Sequence, residues 1–215
     1  MAKAPSAGAD LSVPGDEAAP PSLAGARRAI AACRRCDLYA HATQAVFGEG
    51  VAHAPLMLIG EQPGDQEDLA GRPFVGPAGR VLDGALAAAG IAREETYVTN
   101  AVKHFKFVPR GKRRIHQKPN TGEINACRFW LNLERHYVTP KVIVALGATA
   151  LAGVLGKATT ITSLRGHPIE LEDGLSLVAT IHPSYLLRME PADAPEEQAR
   201  FIDDLKLARR LIDEG

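Results

Sequence analysis

Lys103 to Asn120 reads KHFKFVPRGKRRIHQKPN, with seven Lys or Arg, two histidines and no acid. So dense a block of positive charge suits contacts to phosphates, and its histidines, His104 and His116, can bind metal, move protons or act as nucleophiles. Pro109, Gly111 and Pro119 interrupt any regular element, so a long loop between a strand and a helix is expected. Long loops in compact domains are usually functional, although a merely solvated basic face is the plain alternative. The three cysteines are Cys33 and Cys36, spaced C-x-x-C, and Cys127. A C-x-x-C pair fits a redox couple, half of a zinc site or half of an iron–sulfur site. The βαβ context of a thioredoxin-like redox pair is missing around it.

The elements that must position these groups are legible as a pattern. With 215 residues, one domain is the natural prior, and 25 Lys plus Arg balance 25 Asp plus Glu. A neutral protein that binds nucleic acid has to concentrate its positive charge, as this stretch does. Residues 1–21 are rich in Ala, Pro, Gly, Ser and Asp without apolar period and are expected to form a disordered tail. Residues 22–215 form the folded domain, beginning with a short helix over about 22–32. No apolar run is long enough to span a membrane, and the N-terminus lacks a basic start followed by an apolar core. A cytoplasmic protein is therefore expected, whose thiols serve metal or chemistry instead of disulfides.

LMLIG (residues 56–60), TYVTN (96–100), KVIVALG (141–147) and the run 177–181 read as short buried strands. Helices are expected over about 78–89, from a capping box at Asn120 and Glu123 to about 137, over 148–155 and over 195–212. The alternation implies an α/β fold, a three-layer α/β/α arrangement with a central, mainly parallel four-stranded sheet. Ligands of such sheets sit beyond the carboxyl ends of the strands. Glu61, Gln62 and Asp65, then Asn100, then the basic stretch, then His182 all fall at those ends. The glycines do not match G-x-G-x-x-G and there is no P-loop lysine motif, so no nucleotide cofactor is expected.

In order, the segments GEQPGDQED, GRPFVGPAG, TNAVK, VALG and HPSYLLR resemble a family-four uracil-DNA glycosylase, from about Cys33 to the last helix. The added segment GKRRIH after KHFKF resembles the UdgX branch of that superfamily, whose members become covalently joined to uracil-containing DNA. The resemblance implies a uracil-DNA glycosylase-like fold acting on extruded or single-stranded uracil. By likeness, Asn100 pairs with the base edge, Phe74 stacks on it, and His182 hydrogen-bonds the departing uracil. Leu186 or Leu187 fills the gap left by the flipped base. Glu61 and Asp65 are the carboxylates that activate water in hydrolytic relatives. In the UdgX-like reading His116 instead captures C1′ of the sugar, Glu61 orients it and accepts its proton, and Gln62 and Asp65 shape the pocket. Lys112, Arg113 and Arg114 are expected at the DNA, with the two arginines holding the loop or gripping phosphates.

The resemblance also implies a [4Fe-4S] cluster in a structural role, held by Cys33, Cys36 and Cys127. His104 stands where the family has a fourth cysteine; the same donor set suits zinc. A monomer acting on uracil-containing DNA, single strands included, is expected. An ordinary turnover glycosylase and a non-catalytic metal-bearing DNA-binding module are the competing readings.

Overall fold

A computed structural model describes residues 19–214 of the chain. In chain order its elements are α1 (Leu23–Ala29), β1 (Glu49–Gly50), β2 (Leu56–Gly60), α2 (Asp65–Ala70), α3 (Pro77–Ala88), β3 (Thr96–Asn100), β4 (Phe107–Arg110) and β5 (Arg113–His116). Then come α4 (Thr121–Val138), β6 (Val142–Leu146), α5 (Ala148–Leu155), β7 (Pro168–Glu170), β8 (Ser176–Thr180), α6 (Pro183–Leu186) and α7 (Ala194–Glu214). The tail expected over residues 1–21 lies, up to residue 18, outside the described residues. Beyond it, Ala19 packs against a cluster that includes Phe129 and Trp130, and the Tyr137 hydroxyl donates to the Pro20 carbonyl.

The sheet runs β1-β3-β2-β6-β8-β7. Its four inner strands are parallel, as the apolar runs require, because both of their faces are covered. Two short antiparallel edge strands, β1 on β3 and β7 on β8, extend the expected four strands to six. With two and three residues they are too short to carry a periodic signal.

Alternation along the strands divides the core. Met57, Ile59, Tyr97, Ile143, Ala145, Leu177 and Ala179 pack with α4 and α5 through Leu131, Leu151 and Val154. Leu56, Leu58, Val98, Val144 and Val178 pack on the opposite face with α3 and α7 through Leu82, Leu86, Phe201 and Leu205. Helices on both faces complete the three layers.

Two local features depart from expectation. The basic stretch is no plain loop: β4 and β5 pair antiparallel with Arg110 opposite Arg113, leaving Gly111 and Lys112 as the turn. Gly111 has φ 59°, which a two-residue hairpin turn of this kind demands and which glycine adopts without strain. The positive block is also thinner than its count. Lys103 is fully buried and forms an ion pair with Glu134 at 2.5 Å, also donating to Thr99 Oγ1 and to the Asn100 carbonyl. Lys106 pairs with Glu123 at 2.9 Å, and Arg114 turns inward onto α2.

Candidate active site

The carboxyl ends of the parallel strands carry the site. β2 and β3 are in register with Gly60 beside Asn100. A side chain at residue 60 would put its Cβ 2.3 Å from Asn100 Oδ1 and 2.7 Å from the Phe74 ring, so glycine is what lets those two groups converge. Asn100 is buried, and its Nδ2 has no hydrogen-bond partner. Buried donors are nearly always paired, so an orphan amide invites an acceptor from outside.

Phe74 is buried and holds φ 57°, a conformation bulky residues rarely adopt and one that concentrates at functional sites. Its backbone is braced by Glu67 of α2, whose carboxyl also accepts from the Gly64 N–H at 2.8 Å. Burial pushes Glu67 above the usual carboxylate range despite those bonds. The Phe74 ring lies 6.0 Å from the His182 ring, centroid to centroid, at an interplanar angle of 25°.

His182 follows β8 and caps α6. Its Nδ1 accepts from the Ser184 N–H at 3.2 Å and lies 2.8 Å from Ser184 Oγ. An accepting Nδ1 fixes the neutral tautomer with its proton on Nε2. Burial, opposed by the Glu61 charge and assisted by Arg188 and His116, lowers His182 to about 4. At neutral pH the ring is therefore an uncharged donor.

Glu61 follows Gly60 directly. Its Oε1 lies 3.2 Å from His116 Nε2, and its Oε2 accepts from Thr149 Oγ1 at 2.5 Å. Burial raises this carboxyl, but hydrogen bonds from His116 and Thr149, with the nearby imidazoles, outweigh it and hold Glu61 below its ordinary value. Glu61 is thus a carboxylate with one oxygen fixed and the other turned to an imidazole.

The hairpin delivers that imidazole. Phe107, Pro109, Arg114 and His116 share its inner face, because cross-strand partners point the same way. His116 leans on Phe105 with ring centroids 6.2 Å apart. Arg114 clamps the hairpin to α2, meeting Asp65 at 2.6 Å and the fully buried Asp68 at 2.5 Å while lying over Phe105 and Phe107. Gln62 fastens its root: Nε2 donates to the Lys106 and Gln117 carbonyls, and Oε1 accepts from the Lys106 N–H.

These contacts show where the other expected site residues stand. Gln62, expected to shape the base pocket, commits its side-chain amide to the hairpin backbone. Asp65, expected beside the reacting atoms, commits its carboxylate to Arg114. Leu186 packs against the α3–α7 core, whereas Leu187 is exposed. Lys112 and Arg113 are exposed at the hairpin tip.

Residues 47–206 match the family model described as the uracil DNA glycosylase superfamily. The chain belongs to that superfamily. It is 39% identical over 181 residues to a type-4 uracil-DNA glycosylase of Thermotoga maritima, covering 84% of this chain and 89% of that protein. A type-4 uracil-DNA glycosylase of Archaeoglobus fulgidus is 35% identical over 167 residues, 74% of this chain and 80% of that protein. A type-5 uracil-DNA glycosylase of Pyrobaculum aerophilum is 28% identical over 183 residues, 77% of each.

In this superfamily member the cysteines lie where α1 and the following turn meet α4. Cys36 hydrogen-bonds Cys127 and His104; the Cys127 bond, opposed by burial and aided by His104, lowers it to about 5. The same Cys36 contact, with burial behind it, pushes Cys127 up. Cys33 Sγ accepts from Trp130 Nε1 at 3.2 Å. His104 is buried with Nδ1 unpartnered. Among the described residues no group of three or more His, Cys, Asp or Glu side chains is drawn together tightly enough to hold a metal ion. The donor types and the orphaned Nδ1 nonetheless fit a soft metal or an iron–sulfur cluster.

Three residues of the site escaped the sequence reading. Thr149 holds Glu61, Glu67 braces Phe74, and Ser184 fixes the His182 tautomer. Thr149 and Ser184 do lie just after strand ends, the one signal available. Among the described residues no helix is long and apolar enough to cross a membrane.

Proposed function

We propose that this protein excises uracil from DNA and is captured in doing so, His116 forming a covalent bond to C1′ of the deoxyribose. The observation that carries this reading is His116 Nε2 at 3.2 Å from Glu61 Oε1, on a hairpin clamped in place.

The flipped uracil enters between the strand ends. Asn100 offers its unpartnered amide N–H to a carbonyl oxygen of the base edge, and Phe74 stacks on the ring. As the C1′–N1 bond breaks, negative charge develops on uracil and cation character on the sugar. His182, neutral and protonated on Nε2, donates to the base oxygen on which that charge gathers. Glu61 takes the ring proton of His116, and the imidazole lone pair closes on C1′. The products are uracil and a protein–DNA adduct, with no water step to free the protein. Leu187 fills the gap in the stack, and Lys112 and Arg113 at the hairpin tip contact phosphates. We place the reaction on single strands as well, with a monomeric, cytoplasmic protein.

Cys33, Cys36, His104 and Cys127 would hold a [4Fe-4S] cluster, with zinc as the alternative. Bound there, it would tie the α1 segment to α4 and supply no reactive group.

The type-4 glycosylase relatives favour a second reading, in which Glu61 activates water and the enzyme turns over. Excess uracil-containing single-stranded oligonucleotide, analysed for released uracil and on a denaturing gel, separates the two. One uracil per protein with a band shifted by the protein's mass supports capture. Many uracils per protein with alkali-labile DNA and no shift supports turnover.

A further inference from the structure

Among the described residues, a groove of about 590 Å³ runs from Thr149 past the start of α4 to the segment after α5. Thr149 is the residue whose hydroxyl holds Glu61, so the groove adjoins the proposed reacting centre through that side chain. At its edge stand Lys118, two residues beyond His116, and Lys157; both are exposed. Neither is among the ion pairs of the described residues, unlike Lys103, Lys106 and Arg114. No Asp or Glu lines this groove. Glu49, Asp83 and Glu94 line one of the other cavities, and Asp173 lines another.

Its lining includes the apolar Ile124, Ala148 and Ala152 and the hydroxyl-bearing Thr121, Thr159 and Thr160, of which Thr159 already donates to the Lys157 carbonyl. An apolar surface for a sugar or base face, polar hydroxyls and two exposed cations outside the ion pairs match a nucleotide with its phosphates. The two cations favour an anionic ligand over a neutral one, and the apolar surface beside them favours one that carries a base or sugar face. The volume is in the range of small-ligand sites. Asn120 already caps α4 together with Glu123, so the helix end is not the attraction.

We infer that this groove is the track for the DNA strand adjoining the extruded uridine, with Lys118 and Lys157 on successive phosphates. The inference rests on the proposed activity for the identity of the DNA, but the contact itself is electrostatic. It can therefore be measured without any reaction.

The test is fluorescence anisotropy of a labelled, uracil-free single-stranded oligonucleotide across a salt series. The intact protein is compared with Lys118→Ala/Lys157→Ala and with Lys206→Ala on α7. For single strands each phosphate contact adds about 0.7 to the slope of log K against log salt. The double variant is expected to bind about tenfold more weakly at low salt, with a slope smaller by about 1.4, while Lys206→Ala matches the parent. An unchanged slope in the double variant with an unchanged melting temperature overturns the groove. Uracil release and adduct formation, followed in parallel on a uracil-containing strand at saturating protein, report on the activity separately. A parent protein that releases no uracil refutes the activity while leaving the binding comparison intact.

Discussion

Arg114 Nη1 lies 2.5 Å from Asp68 Oδ2, and Asp68 is fully buried. A hairpin side chain thereby supplies the countercharge for a carboxylate inside the domain, and the His116 imidazole rides on the same strand two residues later. Arg114→Ala should destabilise the protein by about 1–3 kcal/mol, because Asp68 would keep only the Thr43 N–H. Chemical denaturation measures this. Capture of DNA should slow by about tenfold or more as His116 loses its fixed place, since small misplacements of a reacting group are costly. Arg114→Lys should recover little, because an ammonium cannot bridge two carboxylates as a planar fork does.

Thr149 should behave as a positioning residue. A hydrogen bond to a charged group is worth about 1.5–3 kcal/mol, which corresponds to about 10- to 100-fold in rate if fully expressed in the transition state. Thr149→Val should slow the chemical step within that range and shift the acid limb of its pH profile upward, since burial, the largest influence on Glu61, would be opposed by one bond fewer. Thr149→Ser should restore both. Single-turnover rates across pH read out the effect, and a loss of rate with no movement of the profile would count against it.

His182 makes stability depend on pH in a defined sense. Its folded value of about 4 lies below the ordinary 6.5, so between those limits the unfolded chain binds more protons. The contribution of this residue is complete above about 6.5 and is lost as pH falls toward about 4. Melting temperatures of the parent should therefore drop more steeply over that window than those of His182→Gln. Equal slopes would show that the imidazole is not held neutral by the fold.

The cysteine site predicts a protein that is brown when purified without oxygen, with iron and acid-labile sulfide bound. Cys36→Ala should lose the colour and weaken the attachment of the α1 segment, seen as faster proteolysis there. Colourless protein carrying zinc would assign the same residues to a different metal.

Much of this was legible in the chain. LMLIG and TYVTN span β2 and β3, and Asn120 with Glu123 opens α4, because those signals are local: a short apolar run and a side chain reaching its own helix end. What stayed hidden depends on distant partners. Nothing near Lys103 says that Glu134, 31 residues on, will bury it. Nothing near Arg114 says that Asp68, 46 residues earlier, will pull it off the surface. Counting cations therefore overstated the exposed charge. Gln62 looked like a ligand for the base because it sits in the right loop, yet its amide geometry serves the hairpin root. The hairpin itself was masked by Pro109 and Gly111, which break regular structure in general but occupy an edge strand and a tight turn here.

Capture requires that a ring nitrogen of His116 meets C1′. A uracil-containing single-stranded oligonucleotide should be incubated with the parent and with His116→Ser, and both resolved on a denaturing gel. The parent is predicted to give a slow band carrying protein and DNA together, and His116→Ser none, with uracil still released into solution. A slow band that survives in His116→Ser, or a parent that releases uracil repeatedly without one, would contradict it.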